Sequence, residues 1–444
     1  MKKVLMISYF FPPMGGVAVQ RITKFCKFLP EFGWQPIVLT VKNGYWTVWD
    51  HSNEDHKTGY EVVYRTPFIS PFTLINKLSF GKAKFGTTSE DKGKALDKPS
   101  RCRKLMRQIS MLWCVPDEFI SWFPIAFFYG LKIIKKHGVD LIYANDSPHT
   151  CPLIALALNK TTGLPFITDF RDLWIANPEF NPRNGLEMIL QKKLERIIIK
   201  KSNQIITVTN GFANVLAKTH GEKQNKKLTV IYNGFDMDDF ENSYSGIYQK
   251  GQKTFRIVYT GSFFGTLMTP ENFLIAFSRF VRNYNLHPSE IEIIFAGAES
   301  EQLKILIEKT RTKNYIKVLP NLSHRNACSL QKSADLLLFI IHSCKGGKDR
   351  VSAKLFEYLA AGPPIFAIIP HGEAANIIEK TASGMLANPD DVAEIEASLT
   401  SLYEKIHIKK EPFQRNEAEI RKFNRRDQTK RLAEIFDEVT EARK

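Results

Sequence analysis

The densest run of residues that could do chemistry lies between Asp349 and Pro364. Two carboxylates, Asp349 and Glu357, stand there with seven residues between them, among them Arg350, Ser352 and Lys354. Ser352 is a good N-cap and Gly362-Pro363-Pro364 a firm stop, so the segment predicts a short helix. The first amides of a helix lack partners within it and carry the positive end of its dipole. Here they would face an anion, with Lys354 beside them. Glu357 lies about one and a half turns in, at ~3.6 residues per turn, where a carboxylate could accept hydrogen bonds from a ribose diol. Asp349, just before the helix, could hold sugar hydroxyls. The competing reading is a solvated acidic face with a routine cap.

Two glycine-bearing loops could complement that helix. Pro12-Pro13-Met14-Gly15-Gly16-Val17 joins the first expected strand to the first expected helix. Thr260-Gly261-Ser262-Phe263-Phe264-Gly265 holds the corresponding place in the second half, with Thr269 and Pro270 as N-cap and first-turn pair of the next helix. Glycine lets a backbone come close to a ligand, and open α/β sheets bind ligands at the carboxyl ends of their strands. Either loop alone reads equally well as a tight turn; as a pair, one leading each half, they would face each other across a cleft. His149, in Ser147-Pro148-His149-Thr150, follows another expected strand at the same sheet edge. Contact with a sugar or acceptor there weighs evenly against a histidine merely hydrogen-bonded in its loop. Asp236-Met237-Asp238-Asp239 contains a literal Asp-x-Asp, but it sits between the halves and not beside a phosphate loop, so it reads as linker. No metal site is expected.

The elements that must position these residues are apolar, β-rich runs alternating with amphipathic stretches, the pattern of parallel α/β layers. Strands are expected at Val4–Tyr9, Gln35–Thr40, Glu61–Arg65, Leu141–Ala144, Pro165–Asp169, Gln204–Thr209 and Val230–Tyr232. A second series follows at Arg256–Thr260, Glu292–Ala296, Ile316–Leu319, Leu336–Ile340 and Ile365–Ile369. The turn-rich Asn233-Gly234-Phe235-Asp236 separates the two. The expectation is an α/β chain of two doubly wound, Rossmann-like parallel-sheet domains with a cleft between them. The first covers 1–235, with a basic insertion at about 71–117, and the second covers 236–424. Residues 425–444 are expected as a helix with Leu432, Ile435, Phe436 and Val439 on one face, a candidate to cross back to the first domain.

Composition narrows the classes. In 444 residues, 43% of them hydrophobic, two or three domains can each bury a core. The six cysteines (Cys26, Cys102, Cys114, Cys151, Cys328 and Cys344) form no CxxC pair, which argues against a disulfide framework and fits a reducing compartment. The opening residues resemble a signal peptide, but Phe11-Pro12-Pro13-Met14-Gly15-Gly16 follows at once with no small-residue cleavage site, so a buried strand is expected. No apolar run reaches the ~18 residues of a membrane span. The nearest, Trp122–Ile134, reads as a core helix. The formal charge of +16 would suit nucleic acid, an anionic membrane or a phosphorylated substrate, and no nucleic-acid module is recognisable. Part of it is local: Lys77–Arg107 holds ten Lys or Arg against three Asp or Glu. Phe80, Phe85, Leu105 and Trp113 lie in and beside that run, a pattern that suits an anionic membrane surface slightly better than a solvated loop.

Lys354-Leu355-Phe356-Glu357-Tyr358-Leu359-Ala360-Ala361-Gly362 resembles a motif of the family 4 glycosyltransferases. There an acidic residue, seven intervening residues and a glutamate open a Glu-Ala/Tyr-x-Ala-x-Gly-x-Pro helix, and the form here is similar to that of polysaccharide-assembly members. The Pro12-Pro13-Met14-Gly15-Gly16 loop, Asp169-Phe170-Arg171-Asp172-Leu173-Trp174 and Asn233-Gly234-Phe235-Asp236 agree. The resemblance covers most of the chain, apart from about 42–116 and the tail. It implies the GT-B fold and a cytoplasmic enzyme, with a peripheral place on the inner membrane face as a further option. Such an enzyme moves a sugar from a nucleotide sugar to a saccharide or lipid-linked acceptor, with retention, in cell-surface polysaccharide or glycolipid biosynthesis.

The resemblance also implies roles. Asp349, Glu357 and His149 form the expected catalytic set, with Asp349 on the transferred sugar and Glu357 on the ribose. Gly15 and Gly16 would approach the donor from the first domain, and Arg171 and Asp172 would face the cleft. Gly261, Ser262, Arg350, Ser352, Ala353, Lys354 and Leu355 would surround the diphosphate, and Pro320 would sit at the base. No cofactor or metal is implied. Asp349 stands where a glutamate is usual, and Ser262 where an arginine is, with no lysine among Thr266, Leu267 and Met268. Those cations neutralise the leaving diphosphate; Lys348, Arg350 or Lys354 could substitute. Two readings compete: a non-catalytic sugar-nucleotide-binding or scaffold protein of this fold, kept open by the missing cations, and a sugar-nucleotide epimerase, whose Asp-Ser-Gly-Gly segment has no match.

Overall fold

A computed structural model describes residues 1–44, 49–50, 62–69, 114–178, 180–221, 226–241, 254–263, 269–343 and 347–442. The basic run Lys77–Arg107, Phe264 to Met268, Cys102 and Cys344 lie outside the described residues.

Among the described residues the first sheet has strands β1 (Lys2–Ile7), β2 (Trp34–Val41), β3 (Val62–Thr66), β4 (Leu141–Asn145), β5 (Phe166–Phe170), β6 (Gln204–Thr207) and β7 (Leu228–Val230). The second has β8 (Phe255–Thr260), β9 (Ile291–Ala296), β10 (Ile316–Leu319), β11 (Leu336–Ile340), β12 (Ile365–Ile368) and β13 (Gly384–Ala387). Their orders are β3-β2-β1-β4-β5-β6-β7 and β10-β9-β8-β11-β12-β13. Both sheets are wholly parallel. The chain therefore has two Rossmann-like halves, the GT-B arrangement.

Parallel strands covered on both faces need apolar residues on both, which explains the continuous apolar runs. In β1 alternate residues serve different layers. Leu5 and Ile7 join the core under helices Phe123–His137, Thr150–Thr162, Gly185–Lys201 and Asn210–His220. Val4 and Met6 join the core under Val17–Phe28 and the C-terminal helix Arg425–Glu441. Leu432, Ile435 and Phe436 of that last helix are buried against the first sheet, and the Phe436 ring lies 5.2 Å from Trp34, centroid to centroid. Arg21 is fully buried and ties the layers together: it donates to Asp169 at 2.7 and 3.1 Å and to the carbonyl oxygens of Ile231 and Tyr232. Removing one partner of such a buried pair costs about 3–5 kcal/mol.

Three expectations are amended. β7 ends at Val230, because Tyr232 leaves the sheet to donate its hydroxyl to Glu373. β13 is an edge strand of four residues opening on Gly384, too short to announce itself by pattern. The helix near Trp122–Ile134 is buried along one stripe only: Ala126 and Ile133 join the core and Gly130 lies against Leu158, whereas Phe128 and Tyr129 are exposed.

Candidate active site

Each sheet order reverses beside its first strand, at β1/β4 and at β8/β11, and ligands of such sheets bind outside those strand ends. A cleft of about 540 Å³ lies there between the domains. One wall carries Ser147, His149, Arg171, Asp172, Thr209 and Asn233; the other carries Arg350, Val351, Ser352 and Ala353.

The second wall is the head of the helix Ala353–Ala361. Ser352 caps it, its hydroxyl oxygen accepting the Lys354 N–H at 3.4 Å. Leu355 is buried and its amide already donates to the Ser352 carbonyl, whereas Ala353 lines the cleft. Arg350 reaches across the cleft, donating to Asn177 Oδ1 at 3.4 Å.

Behind this wall three strand exits converge. Gly261, after β8, has φ 106°, and a Cβ there would stand 3.0 Å from Lys354 Nζ. Gly297, after β9, has φ 80°, and a Cβ there would meet Asn321 Oδ1 at 2.7 Å and Gly261 Cα at 3.6 Å. Only glycine takes these backbone conformations freely. The exposed Pro320 precedes Asn321 at the end of β10, and the Ser262 hydroxyl donates to the Gly297 carbonyl at 3.0 Å. Lys354 Nζ lies 3.8 Å from the Tyr259 ring centroid. Burial pulls its pKa down to about 7 against the opposing influence of the Glu357 carboxylate. No carboxylate hydrogen-bonds to this ammonium among the described residues, so it is poised for an anion.

Glu357 does not line the large cleft. It opens on an adjoining cavity of about 20 Å³ that also touches Ala353, Asp239 and Arg425. Its Oε1 lies 3.4 Å from His324 Nε2, and its Oε2 accepts from Gln331 at 3.3 Å. Burial pushes its pKa up, but His324, Gln331 and Lys354 outweigh this and hold it below the usual carboxylate range. Burial likewise opposes charge on His324, yet the Cys328 sulfur and Glu357 keep that ring well above its ordinary value. With a side chain 22% exposed, Glu357 does not belong to a solvated acidic face.

On the first-domain wall, the His149 ring stacks on Trp174 at 4.2 Å, and its Nδ1 lies 2.9 Å from Asp146 Oδ1. Burial lowers the His149 pKa, but Asp146 more than restores it. Arg171 pairs with Asp172 at 3.0 Å. Gly15 is buried, whereas Gly16 is exposed with φ 97°, and a Cβ there would meet open space.

Asp349 is placed apart from the cleft lining. It lies in the turn Gly347–Asp349, where its carbonyl accepts from the Thr209 hydroxyl at 3.0 Å. Its Cβ would stand 2.5 Å from a Cβ on Gly211, a contact only glycine permits. The linker acids pair with lysines of the first helix: Asp236 with Lys24 and Lys27 at 2.8 and 2.6 Å, Asp239 with Lys24 at 2.5 Å, and Asp238 with Lys27 at 2.6 Å. Among the described residues no cluster of His, Cys, Asp and Glu could hold a metal ion. The helix expected after Thr269-Pro270 begins at Glu271, with Pro270 in the cap position and Thr269 Oγ1 accepting the Glu271 N–H.

Sequence reasoning missed His324, Gln331 and Glu373. Ser323 before His324 is an N-cap signal, and its hydroxyl does cap that helix, but nothing local ties His324 to a glutamate 33 positions on.

Comparison with known proteins agrees with this fold. The "Glycosyltransferase Family 4" model matches residues 46–239 and the "Glycosyl transferases group 1" model residues 242–419. No curated protein matches the sequence. Among solved structures, sucrose-phosphate synthase from Thermosynechococcus elongatus is similar over the whole of both chains, at 11% identity and TM-score 0.66. A glycosyltransferase from Rickettsia africae is similar at 16% identity and TM-score 0.62, over 99% of this chain and 98% of that one. Anabaena HepE, solved with UDP-glucose, is similar at 14% and 0.62, over 99% and 100%. Identities this low speak for the fold, while the two family models between them span nearly all of the chain from residue 46 to residue 419. The chain belongs to the family 4 glycosyltransferases and is a transferase of the GT-B type.

Proposed function

We propose that this transferase takes its sugar from a nucleotide sugar and passes it, with retention, to a saccharide or lipid-linked acceptor in cell-surface polysaccharide or glycolipid assembly. The observation that carries the donor half is the meeting of Lys354, Gly261 and the head of helix Ala353–Ala361, an ammonium and a helix N-terminus around a glycine cradle. That combination suits a diphosphate. HepE, which shares the fold, was solved with UDP-glucose, so UDP-sugars are the first donors to test.

Lys354 takes the place of the missing Arg and Lys, neutralising charge on the departing diphosphate. Glu357, held ionised by His324, receives the ribose hydroxyls. The base lies at Pro320, and Gly16 approaches the phosphates from the facing domain. Asp349, set back from the cleft lining in the turn before Arg350, is the residue assigned to the transferred sugar, and His149 and the Arg171–Asp172 pair border the acceptor side. No metal or cofactor takes part in this reading, since Lys354 and helix amides supply the positive charge. Asp172, the carboxylate on the facing wall among the described residues, is paired with Arg171 and does not serve as nucleophile in this reading, which is a front-face substitution with the leaving phosphate taking the acceptor proton. The enzyme works at the cytoplasmic face of a membrane.

The test is product analysis after incubation with a panel of nucleotide sugars and a membrane extract. A glycosylated product retaining the anomeric configuration is expected. Release of an epimerised nucleotide sugar, or binding without turnover of any donor, would replace this reading.

A further inference from the structure

The layer of helices over one face of the first sheet is lopsided in charge. Helices Phe123–His137, Thr150–Thr162 and Gly185–Lys201 expose nine Lys or Arg side chains and no Asp or Glu; the acids of Gly185–Lys201, Glu187 and Glu195, are turned inward and buried. The same layer exposes large apolar side chains. Leu186, Ile189 and Leu190 are 57, 64 and 39% exposed, and Phe128 and Tyr129 are 62 and 40% exposed. Single exposed apolar residues are commonplace, but three within five positions on one outward stripe are a patch. In Gly185–Lys201 the exposed apolar residues occupy the first two turns and the exposed cations Lys192, Lys193, Arg196, Lys200 and Lys201 the later ones.

The direction of these helices matters. Each crosses from the end of one parallel strand back to the start of the next, so its N-terminal turns lie at the cleft end of the sheet. The residues just before Gly185–Lys201 include the cleft-lining Arg171, Asp172, Asn177 and Pro178. The apolar patch is thus at the mouth of the cleft, with the cations behind it.

We propose that this face, centred on Leu186, Ile189 and Leu190, docks the enzyme on an anionic bilayer. Apolar side chains enter the headgroup boundary while Lys192, Lys193 and Arg196 meet the acidic headgroups. Nucleic acid would use the cations but leave the aliphatic patch in water. A second copy of the chain would set one acid-free face against another. The proposal rests on the transferase reading above and deepens it by naming the surface that brings the cleft to a lipid-linked acceptor.

The experiment is co-sedimentation of the full-length protein with vesicles of phosphatidylcholine alone, or mixed with phosphatidylglycerol. Binding to the anionic vesicles only is expected, falling as salt shortens the Debye length from ~10 Å at 0.1 M to ~3 Å at 1 M. The triple variants L186S/I189S/L190S and K192Q/K193Q/R196Q are expected to lose affinity, the second on the order of a hundredfold. Donor hydrolysis without vesicles, expected at the wild-type rate in both variants, reads the transferase site separately, so its absence and the absence of docking are distinguishable. Wild-type pelleting by both variants overturns the proposal. So does a wild-type protein that prefers duplex DNA to anionic vesicles, or one that forms a dimer dependent on Leu186, Ile189 and Leu190 and ignores the vesicles.

Discussion

Glu373 of the second domain caps the first-domain helix that begins at Asn210. Its Oε1 accepts the Asn210 backbone N–H at 2.8 Å, and its Oε2 accepts that of Gly211 at 2.9 Å. The Asn210 side chain and the Tyr232 hydroxyl donate to the same carboxylate at 2.9 and 2.5 Å. A helix N-terminus is being satisfied from across the domain boundary, beside the cleft-lining Thr209. The fold thereby holds its two halves together on this side by hydrogen bonds that a single substitution removes.

Glu373→Ala is expected to loosen the domains without unfolding either. Losing an N-cap costs about 1 kcal/mol, worth a few degrees of melting temperature in a chain this size. Small-angle scattering should show a larger radius of gyration, and turnover should fall because the walls no longer meet. Glu373→Gln, which keeps acceptor oxygen for one amide, should lie between. An unchanged radius with unchanged turnover would show the contact to be incidental.

The lysine beneath Gly261 carries a pH prediction. Lys354 is pulled from 10.5 to about 7 by burial, so the folded, ligand-free protein binds fewer protons there than the unfolded chain between those values. Stability from this site must therefore rise with pH across that interval, and it is the charged form, below about 7, that is disfavoured in the fold. Lys354→Met should raise the melting temperature of the free protein at pH 6 by a few degrees and leave it little changed near pH 10. The same variant should lose donor binding at least about tenfold, because the proposed diphosphate partner would recharge the lysine in the wild type. A melting curve insensitive to the substitution at pH 6 would show that the ammonium is already well solvated.

Much of this fold can be read from apolar periodicity, because parallel strands covered on both faces must be apolar throughout, as in Leu336-Leu337-Leu338-Phe339-Ile340. The head of helix Ala353–Ala361 is equally legible, since its cap and stop are local chemistry. What escapes is whatever depends on contacts distant in sequence. The packing of Asp349 on Gly211, 138 positions away, has no local signal. The place of Asp236, Asp238 and Asp239 between the domains already set a metal motif aside, but their pairing with Lys24 and Lys27 has no local signal. β13 escaped for a different reason, an edge strand of four residues having no room for a period.

The last prediction separates Glu357, the proposed ribose carboxylate, from the histidine that holds it. His324 is raised above its ordinary value, so its pairing with Glu357 stabilises fully below the unfolded histidine value, about 6.5. That contribution fades as pH rises through the higher folded value. Glu357 is lowered, so its contribution is complete above about 4.3 and fades as pH falls through the folded value beneath that. The wild type should therefore exceed His324→Gln in stability most between about pH 4.3 and 6.5, with the difference shrinking on either side, as denaturant titrations across pH would measure. Binding should divide differently. Glu357→Ala removes the proposed ribose acceptor and should weaken free nucleotide at least about tenfold, whereas His324→Gln keeps the carboxylate and should weaken it less. Asp349→Ala should spare free nucleotide and lower transfer, because its proposed partner is the sugar. Equal nucleotide affinity in wild type and Glu357→Ala, by calorimetry with the donor's own nucleotide, would remove Glu357 from the donor site.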